Sequence, residues 1–208
     1  TVEHLIAALR GMGVDNVIIE LDAGEIPLGD GSAQTFVDML QKAGLCQQAA
    51  PRKYFRLQKP IWVSKHESHM IALPAEELKI TYTFVTDHPV VGIQFGEYTI
   101  TETVFAEELA GARTLIFGRD IEFLHQQGLG KGGDLDCVVI VDDDEYRNSL
   151  RYRDEIVRHK ILDVVGDMGL LGFLQAHIFA VRSGHGLNRG LMQEMLKQGN
   201  VTIGVGNR

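Results

Sequence analysis

A chain of 208 residues with 45% hydrophobic side chains is long enough to bury a sizeable core, as one domain or as two small ones. Its net charge of −8 provides no general basic face for displacing counterions from nucleic-acid phosphates, which excludes a nucleic-acid binder but not local basic contacts to one phosphorylated ligand. Two widely spaced cysteines, Cys46 and Cys137, favour a reducing compartment over a disulfide framework; with no apolar run near the roughly 20 residues of a membrane span and no signal-peptide pattern, the expected location is cytoplasmic.

The chain opens on Thr1-Val-Glu-His-Leu-Ile-Ala-Ala-Leu9, an amphipathic helix that Thr1 is placed to cap; without an initiator Met, it reads as beginning inside a domain. Glycines 11 and 13 break that helix, and the β-branched run Asn16 to Asp22 predicts a strand. Pro27, Gly29, Asp30 and Gly31 form a tight polar loop, after which Ser32 can cap a helix over 33–43. Residues 44–52 lack periodicity and mark a linker, so a boundary falls near residue 50, giving domains 1–50 and 51–208.

Beyond it the period changes to strands over 54–57, 61–65, 69–73, 78–85 and 90–95, which read as an antiparallel sheet. A short acidic helix over 101–109 and a second helix over 119–127 follow, then a glycine-rich loop at 128–133 and a strand over 137–142. A long helix spans 153–170, an apolar strand 176–182, and a last helix 187–198. Helices follow runs of strands without strict alternation, which predicts an α+β layered fold.

The long helix carries the strongest chemical signal. His159 and Asp163 stand four apart, as do Asp163 and Asp167, so an imidazole and two carboxylates share one helical face. Burying such acids costs several kcal/mol unless a cation or hydrogen bonds compensate. A His-x-x-x-Asp pair supplies two of the three protein ligands of a catalytic zinc, although the same spacing is more commonly a surface pair. Glu3-His4 adds an imidazole beside a carboxylate, pointing about 100° apart on a helix, which suits a ligand and a neighbouring base as well as it suits a helix start. Ser183-Gly-His185-Gly can hold an imidazole at a pocket rim or simply place it in water. Thr114 of Ala112-Arg-Thr can donate to a developing oxyanion, while a lone Thr is usually structural. His69, His88, His125 and His177 show no partner pattern, and Gly130-Lys-Gly-Gly lacks the spacing of a nucleotide-hydrolysing loop.

Taken together and in this order, Thr1-Val-Glu-His4, Gly29-Asp-Gly-Ser-Ala33, Ala112-Arg-Thr114, Val157-Arg-His-Lys-Ile-Leu-Asp163 with Gly166-Asp167, and Ser183-Gly-His185 resemble one family, the zinc-dependent UDP-3-O-acyl-N-acetylglucosamine deacetylases of lipid A biosynthesis. The resemblance runs from Thr1 to about Gln198. It implies two α+β domains, each a sheet on two helices, with the active site between them and the first domain lacking its upstream half.

It further implies zinc on His4, His159 and Asp163, Glu3 as general base, Thr114 at the oxyanion, and His185 steadied by Asp167 as the acid that protonates the departing amine. Lys160, and more weakly Arg182, would meet the diphosphate of a UDP-linked acylated aminosugar, with Asp30 as outer support. The segment 116–137 matches a βαβ insert whose residues Leu115, Phe117 and Ile121 would line an acyl passage, an arrangement that ordinary core packing would also produce. No membrane span is expected, and peripheral contact with the inner membrane stays open. A different reading follows from the short front: a catalytically impaired relative that binds a UDP-sugar or serves a structural role.

Overall fold

The computed structural model describes residues 1–126, 136–198 and 201–206. In chain order these form α1 (Val2–Gly11), α2 (Gln34–Ala43), β1 (Arg52–Leu57), β2 (Ile61–Lys65), β3 (Ser68–Pro74), β4 (Lys79–Val85) and β5 (Ile93–Thr99). There follow α3 (Glu102–Val104), which runs on as a π-helical turn over Phe105–Leu109, then β6 (Leu115–Phe117), α4 (Ile121–Gln126) and β7 (Val139–Val141). The chain closes with α5 (Glu155–Met168), β8 (Phe173–Val181), α6 (His185–Lys197) and β9 (Val201–Gly206). The expected glycine-rich loop at 128–133 lies outside the described residues.

The α+β class holds, with two differences of pairing. The main sheet has seven strands and is mixed, because β8 runs parallel to β1 and β4 while β2–β3, β3–β8, β4–β5 and β1–β9 are antiparallel. The antiparallel expectation for 54–95 holds for β2–β3 and β4–β5, but β1 and β4 are joined to the rest through β8, parallel to both, because strand periodicity reports which face is buried and carries no information on direction. A separate parallel pair, β6–β7, brackets α4 in a βαβ arrangement at the expected insert.

The second difference is the run Asn16–Asp22, which forms no strand. Val17, Ile18, Ile19 and Leu21 stay exposed there, Ile18 at 89%. A strand is a paired state, and β-branched composition does not make one where no described strand pairs with the run. Thr1 also departs from expectation: its hydroxyl donates to the Ile26 carbonyl instead of capping α1.

One face of the main sheet carries the core. Ile80 and Tyr82 of β4, Met70 and Ala72 of β3, and Leu174, Ala176, Ile178 and Ala180 of β8 alternate inward and are nearly inaccessible. Helix α5 lies on this face with Val157, Ile161, Leu162, Val164 and Val165 buried, and α6 adds Leu191 and Met195. Helix α1 then packs across α5, close enough that a Cβ on Gly166 would sit 2.2 Å from the Glu3 carbonyl oxygen. That close approach brings the start of α1 against the middle of α5. Among the described residues, no helix is long and apolar enough to cross a membrane.

Candidate metal centre

The α1–α5 crossing collects three buried side chains from distant parts of the chain. His4 is 4% exposed, His159 2% and Asp163 3%, and one ligand atom from each lies within 4.8 Å of the other two. The two imidazoles meet edge to face with centroids 5.0 Å apart. Burial, reinforced by the neighbouring His159, pushes His4 down to about 4, and burial likewise lowers His159, so both rings are neutral at physiological pH. Burial alone would raise the Asp163 carboxyl, but His159, the Lys160 ammonium and its hydrogen bond outweigh that and hold it below the usual carboxylate range.

The tautomer of His159 follows from its partner. Its Nδ1 lies 2.9 Å from the Ala112 carbonyl oxygen, which can only accept, so the proton is on Nδ1 and Nε2 presents a lone pair. His159 Nε2 lies 3.3 Å from Asp163 Oδ1 without the alignment of a hydrogen bond. Asp163 Oδ1 and His4 Nδ1 are buried without a hydrogen-bond partner among the described residues. Acceptor atoms crowded together and buried without donors are costly unless a cation lies among them, and a donor set of two imidazoles and a carboxylate suits a divalent transition metal.

The other expected residues surround this cluster. Glu3, Asp163 and His185 form a second group whose ligand atoms also lie within 4.8 Å, with Asp163 common to both. Glu3 Oε1 is 3.9 Å from His4 Nε2. His185 opens α6 half-exposed, its Nδ1 2.8 Å from Asp167 Oδ2 and its Nε2 3.9 Å from Asp163 Oδ2. The Asp167 hydrogen bond is the main reason the His185 pKa rises, against a smaller opposing effect of burial.

Lys160 turns back to Asp163 Oδ2 at 2.8 Å. Arg182, in a left-handed backbone conformation with φ 52°, pairs with Glu67 and lines an open pocket of about 390 Å³ together with His66, Ser68, Phe84 and Ser183. Thr114 follows the Ala112–Arg113 peptide, half-buried at the entry to β6.

Asp30 stays outside the cluster. Its carboxylate accepts from the Ser32 hydroxyl and from Arg151, whose same nitrogen also donates to the Gly111 carbonyl, so the 28–33 turn braces the loop that carries Ala112. Leu115 and Phe117 are half-buried on a small apolar cluster with Val139, Val141 and Ile156, and Ile121 begins α4.

Two participants had no signal in the sequence. Asn188, 1% exposed, donates to Asp167 Oδ2 and accepts from the Ser183 hydroxyl, fixing the carboxylate that holds His185. The Ala112 carbonyl is backbone, which residue spacing cannot mark.

The sequence matches the family model for UDP-3-O-acyl N-acetylglycosamine deacetylase over residues 1–197. It is similar to proteins named UDP-3-O-acyl-N-acetylglucosamine deacetylase: 45% identical to one from Oleidesulfovibrio alaskensis over 93% of this chain and 64% of the relative. Comparable relatives come from Hahella chejuensis, 43% identical over 95% of this chain and 67% of the relative, and from Nostoc sp., 44% identical over 96% and 74%. The chain thus spans just under two thirds of the first of these relatives. A buried His2Asp cluster at a helix crossing, together with a match that covers nearly all of the chain, leads to one conclusion: this chain belongs to the UDP-3-O-acyl N-acetylglycosamine deacetylase family.

Proposed function

We propose that this chain carries the catalytic centre of a zinc-dependent deacetylase that hydrolyses the N-acetyl group of UDP-3-O-(3-hydroxyacyl)-N-acetylglucosamine, releasing acetate and the free amine in lipid A biosynthesis. The observation that carries the reading is the convergence of His4, His159 and Asp163, with His4 Nδ1 and Asp163 Oδ1 buried and unpartnered among the described residues. These three side chains would hold the ion. Zinc, when bound, supplies Lewis-acid polarisation of the amide carbonyl and lowers the pKa of its water.

The remaining steps belong to the chain. Glu3 removes a proton from the attacking water as the water oxygen bonds to the acetyl carbon. The Thr114 hydroxyl donates to the carbonyl oxygen as negative charge develops there. His185, kept protonated by Asp167, gives its proton to the nitrogen as the C–N bond breaks, so that neutral amine and acetate separate. The three residues that would hold the ion are buried, whereas Glu3 and His185 lie at the solvent-facing side of the cluster, where water can enter.

Arg182 and the pocket beside Ser183 suit the nucleotide end of such a substrate, two residues from the acid. Lys160 reaches a diphosphate by exchanging its Asp163 partner for phosphate oxygens. Leu115 and Phe117, packed on the small apolar cluster, and Ile121 at the start of α4 would supply the apolar wall for the acyl chain at the insert near 116–137. The division of the chain near residue 50 and a cytoplasmic location complete this reading.

Acetate release from the UDP-sugar, measured together with zinc content, tests it. About one equivalent of zinc is expected, falling sharply in His4→Ala. Glu3→Gln should retain zinc and lose turnover by about 10²- to 10⁴-fold, the range of a general base. An active Glu3→Gln enzyme would remove Glu3 from the base role, and unaltered zinc content in His4→Ala would remove His4 from the ligand set.

A further inference from the structure

Two residues buried beside the cluster have no part in the chemistry above. Glu155 is fully buried and Arg113 is 4% exposed, and they form an ion pair at 2.9 Å between Arg113 Nε and Glu155 Oε1. The guanidinium also donates to the Asp136 and Ser149 carbonyls and to Glu155 Oε2, which makes four hydrogen bonds. Glu155 Oε2 accepts in addition from the Arg151 backbone N–H. A buried pair of this kind is weak evidence for stability, and its specificity is the more informative property.

That specificity lies in one peptide unit. The Ala112 carbonyl accepts from His159 Nδ1 at 2.9 Å, and the N–H of the same peptide, belonging to Arg113, donates to Glu155 Oε1 at 2.9 Å. Positions 155 and 159 are four apart on α5, about 6 Å along its axis, and a trans peptide directs its C=O and N–H in opposite senses. The two ends of one peptide plane are therefore gripped by two side chains on the same face of the same helix.

We propose that Glu155, braced by Arg113, is a positioning residue that fixes the tautomer and ring orientation of His159 by fixing the direction of the 112–113 peptide. An ionised carboxylate only accepts. If the peptide flipped, its carbonyl would face that carboxylate and its N–H would face His159 Nδ1. Nδ1 would then have to accept, the proton would move to Nε2, and the lone pair aimed at the metal centre would be lost. Glu155 forbids the flip without touching the metal centre. The peptide also leads directly into Thr114, so the same restraint sets where that hydroxyl begins.

The inference rests on the metal reading of His159, and its test separates the two. The full chain is prepared metal-free and the His159 ring nitrogens are assigned by long-range 1H–15N correlation above neutral pH; zinc affinity is then measured by competition with a chelator. Wild type should show the proton on Nδ1 alone. Glu155→Gln, whose amide both donates and accepts, should populate the Nε2–H form and bind zinc about 10- to 100-fold more weakly, the effect typical of an outer-shell partner of a ligand. Arg158→Ala on the same helix, which removes ion pairs to Asp154 just before α5 and to Glu108 of the π-helical turn, serves as a stability control and should leave tautomer and zinc affinity unchanged.

A Glu155→Gln chain with an all-Nδ1–H ring and wild-type zinc affinity overturns the proposal. If that variant does not fold, wild type still decides: a His159 proton on Nε2, or an Arg113 amide that exchanges freely with solvent, refutes it. A wild-type chain that takes up no zinc refutes the metal reading, while the tautomer comparison continues to test the peptide clamp.

Discussion

Asp167 Oδ2 receives two donors, His185 Nδ1 and the Asn188 amide, each at 2.8 Å. The first of these raises the His185 pKa, so an acid at this position stays charged to higher pH than a free imidazole would. Under the proposed mechanism, turnover that needs protonated His185 should be lost as pH rises through that raised value. In Asp167→Asn the carboxylate is gone, and the alkaline limb of the kcat/KM profile should move to lower pH, toward the ordinary histidine range. A limb that stays in place would assign it to a different group. The pairing of His159 with Asp163 was legible at this scale, because a four-residue spacing on a helix is a geometric fact. The contributions of Asn188 and the Ala112 carbonyl were not, since one depends on how α6 faces α5 and the other has no side chain to read.

At the scale of elements, the centre exists because α1 and α5 touch backbone to backbone at Gly166. Any side chain there would meet the Glu3 backbone, which is not the yielding end of a flexible group. Gly166→Ala should therefore cost about 1–3 kcal/mol as overpacking and, more tellingly, lift His4 away from His159 and Asp163. The expected outcome is a loss of zinc affinity larger than that of an equally destabilised variant at Ile61, a buried residue of β2, as judged by chelator competition at matched melting temperature. Elements were legible where one chain segment decides its own state, as in α5, whose buried face shows in its apolar spacing. They were illegible where the state depends on a neighbour: Asn16–Asp22 has strand composition but no described partner, and the parallel setting of β8 leaves no trace in its alternation. The meeting of His4 with α5 was foreseen only through family resemblance, because 155 residues of sequence separation carry no local pattern.

For the whole molecule, holding two neutral imidazoles inside the core links stability to pH. His4 has a folded value of about 4 against 6.5 when exposed, so the unfolded chain binds the proton first as pH falls. Stability from this group is complete above 6.5 and is lost between 6.5 and about 4, amounting to roughly 3 kcal/mol for His4 alone at about 1.4 kcal/mol per unit. Thermal melts of the metal-free chain should fall across that window. Zinc at about one hundred times its dissociation constant should add roughly 2.7 kcal/mol near neutrality and progressively less in acid, where protons compete for the same nitrogens. Melting that is flat from 6.5 to 4 would contradict the buried neutral state of His4. The placement of β8 has a separate consequence, for synthesis on the ribosome. Strands β1, β3 and β4 all pair with β8, which is translated about a hundred residues after the last of them begins, so the centre of the sheet stays open until residue 181 has emerged. Nascent chains stalled before β8 should be cut by protease throughout β1–β5, and chains stalled well beyond α6 should resist.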